Sequence, residues 1–178
     1  MIRGQHRFGV GGKTQAVPPI QYATWQGYNT HYSHTFDQIT GGEEEYILIE
    51  PKTRCEIRIQ PDSDGQINYA LYENADASGG DYIDPSNFNR LIEDTPDIAD
   101  VVYSPDVADT GEQLVDLELS GSADGPGSSQ SPVPSTIAPR GVAWIVDETK
   151  PLLIEVTPDS GDYVSIKINC SKYVNAIE

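Results

Sequence analysis

Alternating apolar and polar positions recur along the chain and predict a series of short β-strands. At 54–60, Cys55, Ile57 and Ile59 alternate with polar side chains, which is the pattern of a strand with one buried face. The run 46–49 is apolar throughout and ends before Pro51, which is typical of a short strand buried on both faces. Nine strands are predicted in this way, at 28–36, 46–49, 54–60, 67–73, 98–103, 114–119, 141–146, 152–157 and 163–170.

These strands, separated by turn signals, predict an all-β fold. Their number fits an antiparallel β-sandwich of jelly-roll-like type. No segment has helical periodicity over three turns, and 87–98 has room for one turn at most. Residues 120–139 are rich in Gly, Ser and Pro, so we expect a long loop there, either a functional projection or a disordered segment. Residues 28–178 are therefore predicted to form one sandwich domain that carries this loop.

Residues 1–27 are predicted to form an extended N-terminal arm. Residues 1–36 contain three cations and no acidic residue, whereas the rest of the chain has eight cations and all 28 acidic residues, a net charge of −20. Because Arg and aromatic residues are enriched at interfaces, we expect the arm to bind an acidic neighbour; the alternative is a disordered terminus. The residues predicted to contact a partner are Arg3, Arg7, Phe8, Lys13, Tyr22 and Trp25.

The composition excludes several classes of protein. The 178 residues carry a formal net charge of −17, so the surface repels phosphate and nucleic acid is not an expected partner. No apolar run approaches the roughly 20 residues needed to cross a bilayer, and the first residues lack a secretory signal. We therefore expect no membrane association, and we expect the protein to be made in a cytoplasm. Self-repulsion of this size is better tolerated where the screening length is about 3 Å, near 1 M salt. We therefore favour a protein from a habitat of molar salt over an acidic protein from a habitat of ordinary salt.

Motifs that carry chemistry are absent or incomplete, so we predict a non-enzymatic protein with no catalytic residue, cofactor or metal. Residues 62–65 begin like a calcium loop, but Gln66 occupies the third ligand position. Residues 9–14 end like a phosphate-binding loop, yet Arg7 stands where its first Gly belongs. His31 and His34 fall on opposite faces of a strand and cannot share a metal without a bend.

Two further sequence features leave alternatives open. Cys55 and Cys170 are in phase with buried positions and should point inward, either as free thiols or as a disulfide, whose geometry the sequence does not define. Trp144 lies among apolar residues and is expected in the core; a place in a sugar site is the alternative.

One segment resembles a family of small tailed-phage virion proteins. The matching residues are 71–75 and 78–80, followed by the Asp-Pro-Ser-Asn-Phe-Asn-Arg run at 84–90. The strands at 46–51 and 55–59 upstream, and those at 144–156 and 163–173 downstream, follow in the family's order. The chain departs from the pattern by Phe88 between the two Asn residues, by the long Gly/Ser/Pro-rich segment and by its acidity.

The resemblance implies a β-structured protein of the capsid surface, located in the virion in a decoration or head-accessory role. Its expected partners are the major capsid protein and other copies of itself, as a trimer at three-fold positions or a pentamer in a vertex turret. The acidity suggests a virus of salt-loving hosts. A receptor- or glycan-binding sandwich of a tail or spike is the main alternative from another class.

Overall fold

In a computed structural model, the structure describes residues 6–10, 13–17, 28–37, 39–63, 65–87, 95–120, 143–159 and 163–172. Every regular element in these ranges is a β-strand. The strands are β1 His6–Val10, β2 Lys13–Val17, β3 Asn29–Phe36, β4 Glu45–Pro51, β5 Cys55–Ser63, β6 Gln66–Glu73, β7 Asp76–Ser78, β8 Asp81–Tyr82, β9 Ser86–Asn87, β10 Ala99–Tyr103, β11 Asp106–Asp109, β12 Glu112–Ser120, β13 Trp144–Val146, β14 Leu152–Pro158 and β15 Val164–Lys172. No helix long and apolar enough to span a bilayer occurs in the described residues.

The strands form two large antiparallel sheets that enclose one core. One sheet has the order β12-β6-β14-β4-β10-β8 and the other β13-β5-β15-β3-β9. Buried side chains of both sheets, among them Ile47 of the first and Ile57 of the second, belong to the same hydrophobic cluster. The predicted antiparallel β-sandwich is therefore confirmed; its jelly-roll-like type stays a prediction.

The alternation in the sequence correctly identifies the core-facing side of the long strands. Cys55 and Ile57 have no exposed surface and Ile59 is buried, whereas Gln60 is exposed. In β15, Val164, Ile166, Ile168 and Cys170 are buried in the same manner. All nine predicted strands are present, with bounds that differ by a few residues. The strand predicted at 54–60 extends further than predicted, through Ser63 of β5.

The central strands of the six-stranded sheet are buried on both faces. Leu152, Leu153 and Ile154 are consecutive and none has exposed surface. Leu152 and Ile154 face the main core, whereas Leu153 belongs to a second cluster with Leu48 and Val102. Side chains of β7, β11 and the adjoining residues pack on this second cluster, among them Ala75, Ala77 and Val107. A two-stranded ribbon, β7 with β11, therefore forms a third layer on this part of the sheet.

The chain ties the two sheets together along the β8–β9 side. It passes from β8 in one sheet to β9 in the other through Ile83, whose amide donates to the Val101 carbonyl at 2.8 Å. The Tyr32 hydroxyl of β3 donates to the carbonyl of Ala99 in the opposite sheet at 2.6 Å. His34 stacks on Tyr103 with ring centroids 4.1 Å apart. This side of the sandwich is where a pocket forms.

Two predicted segments extend beyond the described residues. Of the predicted loop at 120–139, Ser120 is the last residue of β12, so the loop begins later than predicted, and 121–139 lie outside the described residues. Of the predicted arm at 1–27, the described parts are the strands at 6–10 and 13–17, which pair as a hairpin. The extended character of the remaining arm residues stays a prediction.

Candidate functional site

Three of the six predicted partner-binding residues lie within the N-terminal hairpin. Arg7 and Phe8 are in β1 and Lys13 is in β2. The register pairs Arg7 with Ala16 and Val10 with Lys13. The two cations therefore lie in paired strands of one hairpin. Arg3, Tyr22 and Trp25 lie outside the described residues.

The hairpin is not part of either large sheet. Among the described strands, β1 and β2 pair only with each other. A two-stranded hairpin is marginally stable in water unless another surface packs against it. The Gly-Gly pair at 11–12 is a hairpin signal in the sequence, since Gly-Gly is favoured in two-residue turns.

A pocket opens on the β8–β9 side of the sandwich, with a volume of about 250 Å³. Its lining includes Tyr32, Ile83 and Val101, which are buried. The Tyr82 ring borders it and is 68% exposed, the largest exposed fraction among the large hydrophobic side chains of the described residues. The Tyr32 hydroxyl donates to the Ala99 carbonyl, so these two groups of the lining residues are already paired. Burial raises the pKa of Tyr32 to about 12, so this hydroxyl stays protonated at neutral pH.

The rim of the pocket is acidic, and two of its three carboxylates share one ammonium. Asp84, Asp97 and Asp100 all line it. The Lys52 ammonium lies 2.8 Å from an Asp97 oxygen and 2.7 Å from an Asp100 oxygen, and these hydrogen bonds, led by Asp100, raise the pKa of Lys52. The three carboxylates and one ammonium leave the site negative overall. It therefore disfavours anionic ligands and offers carboxylate oxygens as hydrogen-bond acceptors.

The ribbon of β7 and β11 contains part of the segment that resembles virion proteins. Residues with positive φ lie at all four of its ends: Asn74, Gly79 with Gly80, Ser104, and Gly111. At Gly80, φ is +85° and a Cβ atom would lie 2.5 Å from the Tyr103 carbonyl oxygen, so only glycine fits there without strain. These turns fold the ribbon back over the sheet. The glycine pair therefore has a structural role.

The outer side of the ribbon concentrates negative charge. Asp76 of β7 is the cross-strand partner of Asp109 in β11. Asp106, at the other end of β11, is the partner of Ser78. All three carboxylates are exposed. Like charges directly opposite on a ribbon are destabilising, and salt weakens the repulsion. Among the described residues, no group of three or more His, Cys, Asp or Glu is arranged to hold a metal ion.

A carboxyl–phenol row crosses the same sheet beside the ribbon. The Tyr72 hydroxyl donates to Glu155 Oε2 at 3.2 Å, and the Tyr46 hydroxyl donates to Glu44 Oε2. Partial burial raises the pKa of Glu155, nearby Glu44 adds to the effect, and the bond from Tyr72 opposes it. Burial also raises the pKa of Tyr72, to about 12. The ionised form of Glu155 is therefore less favourable in the folded protein than in water.

The histidines and cysteines have structural positions. His31 Nδ1 donates to Asn169 Oδ1 at 2.8 Å on one face of β3, whereas His34 stacks between the sheets, where burial lowers its pKa. The opposite faces predicted for these two residues are confirmed. Cys55 and Cys170 are fully buried and free, and burial raises the pKa of Cys55 to about 12. Such thiols are poor nucleophiles at neutral pH.

Two residues that the sequence analysis names, Trp144 and Asn87, contribute to the fold. Trp144 is partly buried and packs against the main core, as expected. Asn87 is buried in β9 opposite Thr30, while Asn89 and Arg90 lie outside the described residues. Tyr82 is not predicted from the sequence. No local pattern identifies an aromatic ring whose place beside a pocket depends on how the neighbouring loops fold.

Comparisons with known proteins supply no relative. No protein-family model, no curated protein and no solved structure matches this chain. The resemblance to small tailed-phage virion proteins therefore stays a prediction.

Proposed function

We propose that this protein is a non-enzymatic structural protein of a virion, one that decorates or reinforces the capsid surface. Its partners are the major capsid protein and other copies of itself, as a trimer at three-fold positions or a pentamer at a vertex. The N-terminal arm makes the attachment. Arg3, Arg7, Phe8, Lys13, Tyr22 and Trp25 supply its cations and rings.

The observation that carries this proposal is a cationic hairpin whose strands join neither large sheet. Among the described strands, β1 and β2 pair only with each other, and a hairpin alone is marginally stable, which supports a role for a partner surface. Every charged residue within 1–36 is a cation, so the favoured partner surface is acidic. Repetition of the attachment over a symmetric shell turns a weak single contact into firm binding.

The sandwich body fits the solvent-facing part of this proposal. Only Tyr82, Ile145 and Tyr163 are large exposed hydrophobics among the described residues, so that part of the body presents no broad apolar interface. Its acidic side chains remain hydrated and keep decorated particles apart in solution.

The proposal is tested first by counting copies of the protein in virions purified from the source of the gene. Hundreds of copies support decoration and tens support a turret, whereas a handful point to a tail position. Absence of the protein from purified particles would overturn the proposal.

Attachment is then tested with two charge-matched double variants. Arg7→Glu with Lys13→Glu should abolish retention of the protein on pelleted particles. Lys167→Glu with Lys172→Glu changes net charge equally but at exposed positions of β15, and should leave retention intact. Equal loss in both variants would show that total charge, and not the arm, governs attachment.

A receptor- or glycan-binding module of a tail or spike is the second candidate. It is favoured by one observation, the exposed Tyr82 ring beside the pocket.

A further inference from the structure

We infer that the pocket beside Tyr82 is a carbohydrate-binding site that takes one neutral sugar ring. The inference deepens the binding-module candidate and does not require the arm to attach to a capsid. The two proposals can fail separately. The protein could attach to the capsid and bind no sugar, or it could bind a sugar without attaching to the capsid.

The size of the pocket sets the size of the ligand. Pockets for drug-sized molecules enclose roughly 300–1,000 Å³, whereas this one encloses about 250 Å³. Two backbone hydrogen bonds lie at or beside the lining residues, from Ile83 N to Val101 O at 2.8 Å and from Lys52 N to Ile98 O at 2.9 Å. A preformed cavity of this volume suits a single six-membered ring.

The chemistry of the lining matches the two kinds of surface on a sugar. The C–H face of a hexose is apolar and packs on an aromatic ring, for which the 68% exposed Tyr82 is available. The hydroxyl groups at the edge of a hexose are donors, and the exposed carboxylate of Asp84 is a strong acceptor at the rim. The exposed hydroxyl of Thr95 adds a group that both donates and accepts.

The charges of the rim favour a neutral ligand over a charged one. An acidic sugar or a phosphate would meet a net negative rim. A cationic side chain would compete with Lys52, whose ammonium already lies within 2.8 Å of both Asp97 and Asp100. Only Asp84 would then be left for the incoming cation, and exposed ion pairs contribute little. A neutral ring avoids both costs.

The test is a titration of the full chain with the methyl glycosides of glucose, galactose and mannose, followed by NMR. At least one should shift the amide signals of Ile83, Ala99 and Val101, with a Kd on the order of 1 mM, as expected for a ligand of this size. The Kd should be unchanged between low and high salt because the ligand is uncharged.

Variants identify the ring that binds. Tyr82→Ala should weaken binding by about tenfold or more, whereas Tyr82→Phe keeps the stacking surface and should bind nearly as the parent. Tyr163→Ala is the matched control, since Tyr163 is also exposed, at 46%, and does not line the pocket. An unchanged thermal midpoint in Tyr82→Ala excludes loss of folding as the cause.

Three results would overturn the inference. They are no amide shift with any of the three glycosides, full binding in Tyr82→Ala, and binding of arginine amide at this pocket in place of the glycosides. The last result, with affinity that falls as salt rises, would assign the pocket to a cationic side chain of a partner.

Discussion

Substitution of Gly80 by alanine should destabilise the protein more than the same change at Gly42. Both residues have similar left-handed conformations, with φ of +85° and +81°. That conformation costs an alanine roughly 1 kcal/mol. At Gly42 a Cβ atom meets nothing within 4 Å, so this cost stands alone. At Gly80 the Cβ atom would also lie 2.5 Å from Tyr103 O and 2.7 Å from Val102 Cγ1. Overpacking against backbone adds about 1–3 kcal/mol, for a total of about 2–4 kcal/mol.

The difference is measured by urea unfolding of both variants and the parent at one salt concentration. In a domain of this size, each 1 kcal/mol corresponds to a shift of about 2–4 °C in the thermal midpoint. Gly80→Ala should therefore melt about 4–16 °C below the parent, and Gly42→Ala about 2–4 °C below it. Equal shifts in the two variants would refute the idea that close packing of the ribbon on β10 fixes glycine at position 80.

Three further predictions concern charge and thiol chemistry. Because the folded state raises the pKa of Glu155, stability should fall as pH rises past the ordinary carboxyl pKa; Glu155→Gln should melt above the parent at neutral pH and equal to it below about pH 4, and a deficit at neutral pH would contradict this. Asp76→Asn removes repulsion with Asp109 and should stabilise by roughly 0.5 kcal/mol at low salt, with a smaller gain near 1 M; a gain that grows with salt would count against it. Cys55 and Cys170 should resist a thiol reagent in the native state and both react in denaturant, and rapid native labelling would disprove their burial.

The sequence predicts the sandwich well because a strand that is buried on one side shows alternating apolar and polar residues. The alternation of Cys55, Ile57 and Ile59 gives both the strand and its buried face, and the uninterrupted apolar run at 46–49 gives a strand buried on both faces. The same logic places Cys170 in the core before any contact is known.

No such local sequence pattern predicts the ribbon or the pocket. The strands β7 and β11 are three and four residues long and mostly exposed, so their pairing depends on the positive-φ turns and on Leu153 beneath them. The pocket joins β8, the loop at 84–85 and the segment at 95–97, whose proximity follows from the fold as a whole. Local patterns carry no information on such long-range juxtaposition.

The ribbon also creates a particular hazard. It shields Leu48, Val102 and Leu153, which lie on the opposite face of the sheet from the main core. We therefore expect that the ribbon can open locally while the two sheets remain joined. Its outer aspartates repel one another more strongly as electrolyte is diluted. Detachment would bare three aliphatic side chains on a flat surface. Transfer into fresh water should therefore cause clumping of molecules that retain their native β-structure, well before the sandwich itself is lost.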